Sequence, residues 1–187
     1  RSLELYLATE DKSFVQSAQQ YLENIKYAKD LYAIPEDFVV DNLGDGINSN
    51  FQDYNALVMK DHKTIIFTSK RDGNLGGKTG KGQAYEDILT STINDNSEWS
   101  APVKFEGFLT EGHDAAVFLY GGDTKMIVYQ EGDLFMTQKG EDGSWGELQS
   151  LGKNVNSKKS FESHACLSED ERLLIFSSTR NSDNGSL

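Results

Sequence analysis

Three stretches decide the fold: NALVMKDHKTIIFTSKR (55–71), AVFLYGGDTKMIVYQ (116–130) and HACLSEDERLLIFSSTR (164–180). Each reads as a strand, a turn carrying an Asp, and a second strand. Asp61 precedes Phe67 by six residues, as Asp123 precedes Tyr129 and Asp170 precedes Phe176. The segments between them repeat as well. EDILTSTI (86–93) matches GDLFMTQK (132–139) at an offset of 46, and SEWSAPVKFEG (97–107) matches GSWGELQSLG (143–152) at the same offset, which makes Trp99 the equivalent of Trp145. LGDGINS (43–49) matches LGKNVNS (151–157). The period is 62 residues for the first copy and 47 for the second, and most of the difference is a Gly- and Lys-rich insert, RDGNLGGKTGKGQ (71–83). Four strands in roughly 45–50 residues is the signature of a β-propeller blade. A sheet apolar on both faces is covered by stacking against neighbouring sheets, and a solenoid is the competing way to do so. The expected fold class is mainly β: about two and a half four-stranded blades of a partial propeller, preceded by an α-helical segment.

The helical segment spans 1–35. Phe14, Ala18, Tyr21, Ile25, Ala28 and Tyr32 recur at alternating spacings of four and three, which is one face of a helix. Thr9, Asp11 or Ser13 can cap its start, and Pro35 ends it. The propeller part then runs over 36–187. Both ends of the chain read as cut, so the expectation is a piece of a longer protein. The net charge is −12, from 18 Lys plus Arg and 30 Asp plus Glu, which argues against a nucleic-acid backbone or an anionic lipid surface as partner. No apolar run approaches the roughly 18 residues of a membrane span. The single cysteine, Cys166, excludes a disulfide within the chain and a Cys-rich zinc site.

Three phrases carry a family resemblance: NLGDGINSNFQDYNALVMKDHKTIIFTSKRDG (42–73), EDILTS (86–91) and DGSWGELQSLGKNVNSKKSFESHACLSEDERLLIFSSTR (142–180). They resemble the WD40-like β-propeller repeats, also called PD40 repeats and related to those of TolB. They are similar in particular to propellers of bacterial envelope proteins that combine a tetratricopeptide region, a propeller and an OmpA-type peptidoglycan-binding domain. The helix running through YLENIKYAKDLYAIP (21–35) resembles the helix-to-propeller junction of those proteins, so 1–35 is expected to end a tetratricopeptide-like region. The family usually has Asp-Gly in the inner turn, whereas this chain has Asp61-His62, Asp123-Thr124 and Asp170-Glu171. If that turn needs φ > 0, each non-Gly residue costs on the order of 1 kcal/mol.

The chemistry-bearing motifs are mostly accounted for by this repeat. GGKTG (76–80) lacks the leading Gly of a phosphate loop, because that position is Asp72, and a strand follows it instead of a helix. GDGINS (44–49) recurs as GKNVNS (152–157) and reads as a repeat turn, not a dinucleotide fingerprint. His62, His113 and His164 occupy roughly corresponding places, where a metal site would require convergence of two to four ligands; polar strand ends are the simpler reading. No GxSxG elbow and no HExxH is present. DGSW (142–145) has a shorter Asp-to-Trp spacing than a sialidase Asp-box and reads as a hairpin turn. The acidic clusters at Glu141-Asp142 and 168–171, and NSDNG (181–185), lack the alternating spacing of a calcium loop.

No catalytic, cofactor or metal residues are expected. Asp61, Phe67, Trp99, Asp123, Tyr129, Trp145, Asp170 and Phe176 are expected to be structural repeat positions. The insert, with Arg71, Lys78 and Lys81, is expected to be a mobile solvated excursion, its alternative being a partner-contact loop. The resemblance implies a non-enzymatic protein-binding scaffold, periplasmic and associated with the outer membrane, whose partners are other envelope proteins of a secretion or gliding machinery. Peptidoglycan would be reached only through a domain outside this chain. A propeller-containing glycan- or peptide-active enzyme and a small-ligand sensor are the alternatives.

Overall fold

The structure, a computed structural model, describes residues 12–35 and 39–180 and is mainly β. The chain divides into two compact units, residues 1–41 and 42–187. Among the described residues of the first, Lys12–Tyr32 form a helix, α1. Its last turn closes through Ala33 N–H to the Lys29 carbonyl, and Pro35, which has no N–H to continue the ladder, follows at once. Ser13 lies inside the helix; Thr9 and Asp11, the other two candidate caps, lie outside the described residues.

The second unit holds three antiparallel sheets. Sheet 1 is β1 (Asp53–Val58), β2 (Thr64–Ser69), β3 (Asp87–Thr92) and β4 (Val103–Lys104), paired in that order. Sheet 2 repeats it with β5 (Asp114–Tyr120), β6 (Lys125–Gln130), β7 (Asp133–Gln138) and β8 (Gln149–Ser150). Sheet 3 has two strands, β9 (Glu162–Leu167) and β10 (Leu174–Ser178). The outer strands follow the 46-residue repeat without deviation. Leu89 pairs with Lys104 as Phe135 pairs with Ser150, and Trp99 bridges Ile93 as Trp145 bridges Lys139.

The second strand corrects the sequence alignment of the middle repeat by one residue. Phe67 pairs with Leu89, and the equivalent of Leu89, Phe135, pairs with Val128. Val128, not Tyr129, therefore occupies the Phe67 position. A one-residue slip exchanges the two faces of a strand, so packing discriminates between the alignments. On sheet 1, Ile65, Phe67 and Leu89 form a cluster with Ile47 and Trp99 on the rear face, while Ile66 and Ile88 join Phe105 on the face turned to sheet 2. On sheet 2, Met126 and Val128, with Trp145 against them, supply the other half of that second cluster. Each Trp thus covers the rear face of its own sheet.

The inner turns follow the same corrected register. Positive φ falls at His62 (53°), Asp123 (67°) and Glu171 (56°). The turn does require the left-handed conformation, at His62 and Glu171 as expected, but in the middle repeat at Asp123 and not Thr124. Asp123 does not take the Asp61 role. Asp61 accepts hydrogen bonds from the Lys63 and Thr64 amides inside its own turn, and Asp170 accepts from Ser168 Oγ and the Arg172 amide. Asp123 instead accepts the Lys60 amide of sheet 1 at 2.6 Å. His62 is exposed and takes no structural role in the turn, so His62→Gly is expected to raise the unfolding free energy by about 1 kcal/mol. Urea denaturation checks this; an unchanged midpoint contradicts it. Asp123→Gly is expected to gain nothing, because the strain relieved is offset by the lost bond to Lys60.

Candidate functional site

The first strand's start and the second strand's end lie at one end of each sheet, joined in sheets 1 and 2 by the third strand's start, and a carboxylate is built into that end three times. Asp53 faces Ser69, Asp114 faces Gln130 and Glu162 faces Ser178. Asp53 Oδ2 accepts both the amide and the hydroxyl of Ser49 at 2.7 Å, and its Oδ1 takes Arg71 Nη2 at 2.8 Å. Arg71 also donates to Ser69 Oγ and to the Gly46 and Ile47 carbonyls, with its guanidinium over the Phe67 ring. Glu162 reproduces this with the Ser157 amide, the Ser160 and Ser178 hydroxyls and Arg180, which stacks on Phe176 and donates to the Asn154 and Val155 carbonyls. The turns supplying those carbonyls are the matched phrases LGDGINS and LGKNVNS. In the middle repeat the arginine's position falls on Gly132, in the tight turn between β6 and β7, and Gln130 Nε2 takes its place on Asp114 at 2.7 Å.

These carboxylates are structural cross-links. Burial pushes the Glu162 carboxyl up, but its hydrogen bonds from Ser178, Ser157, Ser160 and Arg180 outweigh burial and hold it at about 2. Burial likewise raises the Asp53 carboxyl, and the bonds from Arg71, Ser69 and Ser49 bring it below the usual range. A carboxyl held low in the folded state stabilises fully above its unfolded value of 4.5 and loses that contribution as pH falls towards about 2. Stability is therefore expected to fall through this window, and to fall less steeply in Glu162→Gln, which starts lower at pH 7. Guanidinium titrations at pH 7, 4.5 and 2.5 measure it; parallel losses in the two proteins contradict the assignment. Asp87 acts in the opposite sense: burial, reinforced by Asp114, holds it above its ordinary value despite the Leu75 amide and Lys104. Its Oδ1 is buried without a partner among the described residues.

The insert emerges at this same end, and it is folded. Asn74 Nδ2 donates to the Ser69 and Tyr85 carbonyls, and the Leu75 amide donates to Asp87 Oδ2. Gly76 lies against the Glu111 backbone, and a small hairpin closes at Lys78 and Ala84. The expectation of a solvated excursion gives way to a tied-down loop, anchored by the Asn74 side chain and by the backbone of Leu75, Gly76 and Lys78. Arg71 is engaged inside sheet 1 and is not part of the loop's contact surface; Lys78 pairs with Asp72 at 3.0 Å, and Lys81 is exposed.

Beside the loop, Glu86 gathers charge from both sheets. Its Oε2 lies 2.6 Å from His113 Nδ1 and 3.4 Å from Lys70 Nζ, and the Tyr85 ring meets His113 edge-on. Burial, followed by the Glu86 charge, pushes the Tyr54 and Tyr129 phenols up. This cluster joins the start of β5 to β3, alongside the Asp114 amide bonded to the Glu86 carbonyl, a tie repeated by Glu162 to Gly132. Among the described residues no hydroxyl or thiol hydrogen-bonds His113. His62 sits at the opposite end of sheet 1, and His164 lies in β9; the three histidines are not brought together. Among the described residues no group of three or more His, Cys, Asp or Glu side chains can hold a metal ion. Asp142 instead caps its turn through Ser144, and NSDNG lies outside the described residues.

A cavity of about 340 Å³ lies under the loop, between residues 50–52 and 78–84. Another, about 580 Å³, is an apolar wedge between sheets 1 and 2, bordered by Met59, Ile66, Phe105 and Trp145. No helix among the described residues is long and apolar enough to cross a membrane.

No family model, curated protein or solved structure matches the chain.

The functional reading therefore rests on this chain's own residues. Sequence reasoning missed the three carboxylate nodes. Their signal was present as Ser49/Asp53, Thr110/Asp114 and Ser157/Glu162, with Ser-x-Arg at Ser69/Arg71 and again at Ser178/Arg180.

Proposed function

We propose that sheets 1 to 3 are successive blades of a WD40-like β-propeller, and that this propeller is a non-enzymatic protein-binding scaffold. One observation carries the reading. Ile66 and Ile127, at equivalent positions, are 2% and 1% exposed, whereas Ile175 at that position of sheet 3 is 62% exposed. A repeating face that is covered twice and bare the third time fits a sheet awaiting its next neighbour. The recurring relation between sheets also supports it: β5 crosses β1, β2 and β3, and β9 crosses β5, β6 and β7. The partners are other envelope proteins, met on the end that carries the loop, in the periplasm at the outer membrane. Attachment to peptidoglycan belongs to a domain outside this chain, and a secretion or gliding machinery is the setting.

Fractionation of cells producing the full-length protein, with crosslinking through lysines 78 and 81, tests the proposal. A periplasmic or outer-membrane protein crosslinked to a defined envelope partner supports it. A cytoplasmic location, or turnover of glycans or peptides by the purified full-length protein, contradicts it.

A further inference from the structure

The 340 Å³ cavity under the loop gathers several polar side chains around an exposed aromatic ring. Its lining includes Asn50, Phe51, Gln52, Lys70, Lys78 and Gln83, with the Asp72 carboxylate beside Lys78. Several side-chain amides elsewhere are used internally: Asn42, Asn55, Asn74, Asn94, Asn156 and Gln130 all hydrogen-bond within the protein, while Asn96, Gln138, Gln149 and Asn154 stand singly on the surface. Among the described residues, the side-chain amides of Asn50, Gln52 and Gln83 have no such partner, and all three residues are exposed at one cavity. An amide both donates and accepts, which matches a hydroxyl that does the same. Phe51, large and apolar, is left exposed beside them. A ring face beside several donor–acceptor groups suits a ligand with a C–H face and a polar rim, which is the shape of a sugar ring.

Charge narrows the class. Lys70 is already tied to Glu86, at 3.4 Å. Among the described residues Lys78 pairs with Asp72, and both side chains are more than half exposed. An ion pair of that kind is worth little, so Lys78 is free to exchange Asp72 for a ligand carboxylate. The volume is at the low end for ligand cavities, enough for a monosaccharide-sized unit. We infer that this cavity binds a saccharide unit bearing a carboxylate, of the uronic-acid class, with the ring against Phe51, the hydroxyls on the three amides and the carboxylate at Lys78. The inference is independent of the proposed scaffold role, because every lining residue comes from sheet 1 and its own loops.

Titration of the chain with glucuronate, galacturonate, glucose and an Asp-containing dipeptide, followed by amide chemical shifts, tests it. Millimolar or tighter binding of a uronate is expected, at least fivefold tighter than glucose, with shifts centred on residues 50–52 and 78–84. Phe51→Ala is expected to weaken uronate at least tenfold, and Lys78→Gln to abolish the preference over glucose. Both side chains are exposed, so an unchanged melting curve certifies that each variant is folded. No shifts at 20 mM uronate, equal affinity for glucose, tighter binding of the dipeptide, or full affinity in folded Phe51→Ala would overturn the inference.

Discussion

Asp53→Ala is expected to lower the unfolding free energy by about 3 kcal/mol, the low end for breaking one side of a buried ion pair. Asp53 is nearly buried and Arg71 only slightly exposed. Truncation strands the guanidinium beside three oxygens that cannot neutralise it, and frees the Ser49 amide and hydroxyl. The turn at 44–49 loses its link to β1 at the same time. Urea denaturation is expected to show a lower midpoint with an unchanged slope. The double variant Asp53→Ala/Arg71→Met removes the stranded charge and is expected to recover part of the loss. A single-variant loss below about 0.5 kcal/mol would mean the node is a surface pair after all.

Gly76→Ala is expected to be comparably damaging, for a steric reason. Gly76 has φ +73°, and a Cβ there would lie 1.8 Å from the Glu111 carbonyl oxygen and 2.6 Å from its carbon. The obstacle is backbone, so no rotamer change relieves it. Left-handed strain of about 1–2 kcal/mol adds to an overpacking cost of about 1–3 kcal/mol. The adjacent Gly77 is the internal control, with nearly the same φ (+72°) and nothing within 4 Å of a Cβ. Gly77→Ala is expected to cost only the strain. The damage from Gly76→Ala should be local. Hydrogen exchange at the Leu75 amide, bonded to Asp87, is expected to accelerate strongly in Gly76→Ala and little in Gly77→Ala. Equal acceleration in the two variants would show that the Glu111 contact does not hold the loop.

The repeat was legible where its strands alternate with distinctive turns. The Asp-Ile/Leu strand and the Trp turn fix sheets 1 and 2 at 46 residues, and every outer pairing obeys that offset. The middle inner hairpin slipped by one because IIF, MIV and LIF are continuous apolar runs. A strand buried on both faces shows no alternation, so nothing in the run itself says which residue faces which way. The Asp–aromatic spacing filled that gap and misplaced Asp123 and Tyr129. The carboxylate nodes were illegible for another reason. In a chain with 30 acidic residues, Asp53, Asp114 and Glu162 look like solvated charge until the register sets them against Ser69, Gln130 and Ser178. The insert looked loose because glycine dominates it, whereas three contacts outside the glycine run, at Asn74, Leu75 and Lys78, hold it.

Determining the structure of the full-length protein by cryo-electron microscopy or crystallography tests the repeat architecture most directly. The predicted result is a closed ring in which β1, β5 and β9 line the axis and Ile175 is buried under a further four-stranded sheet, as Ile66 is buried under sheet 2. An open stack, or a ring in which Ile175 still faces solvent, would contradict it.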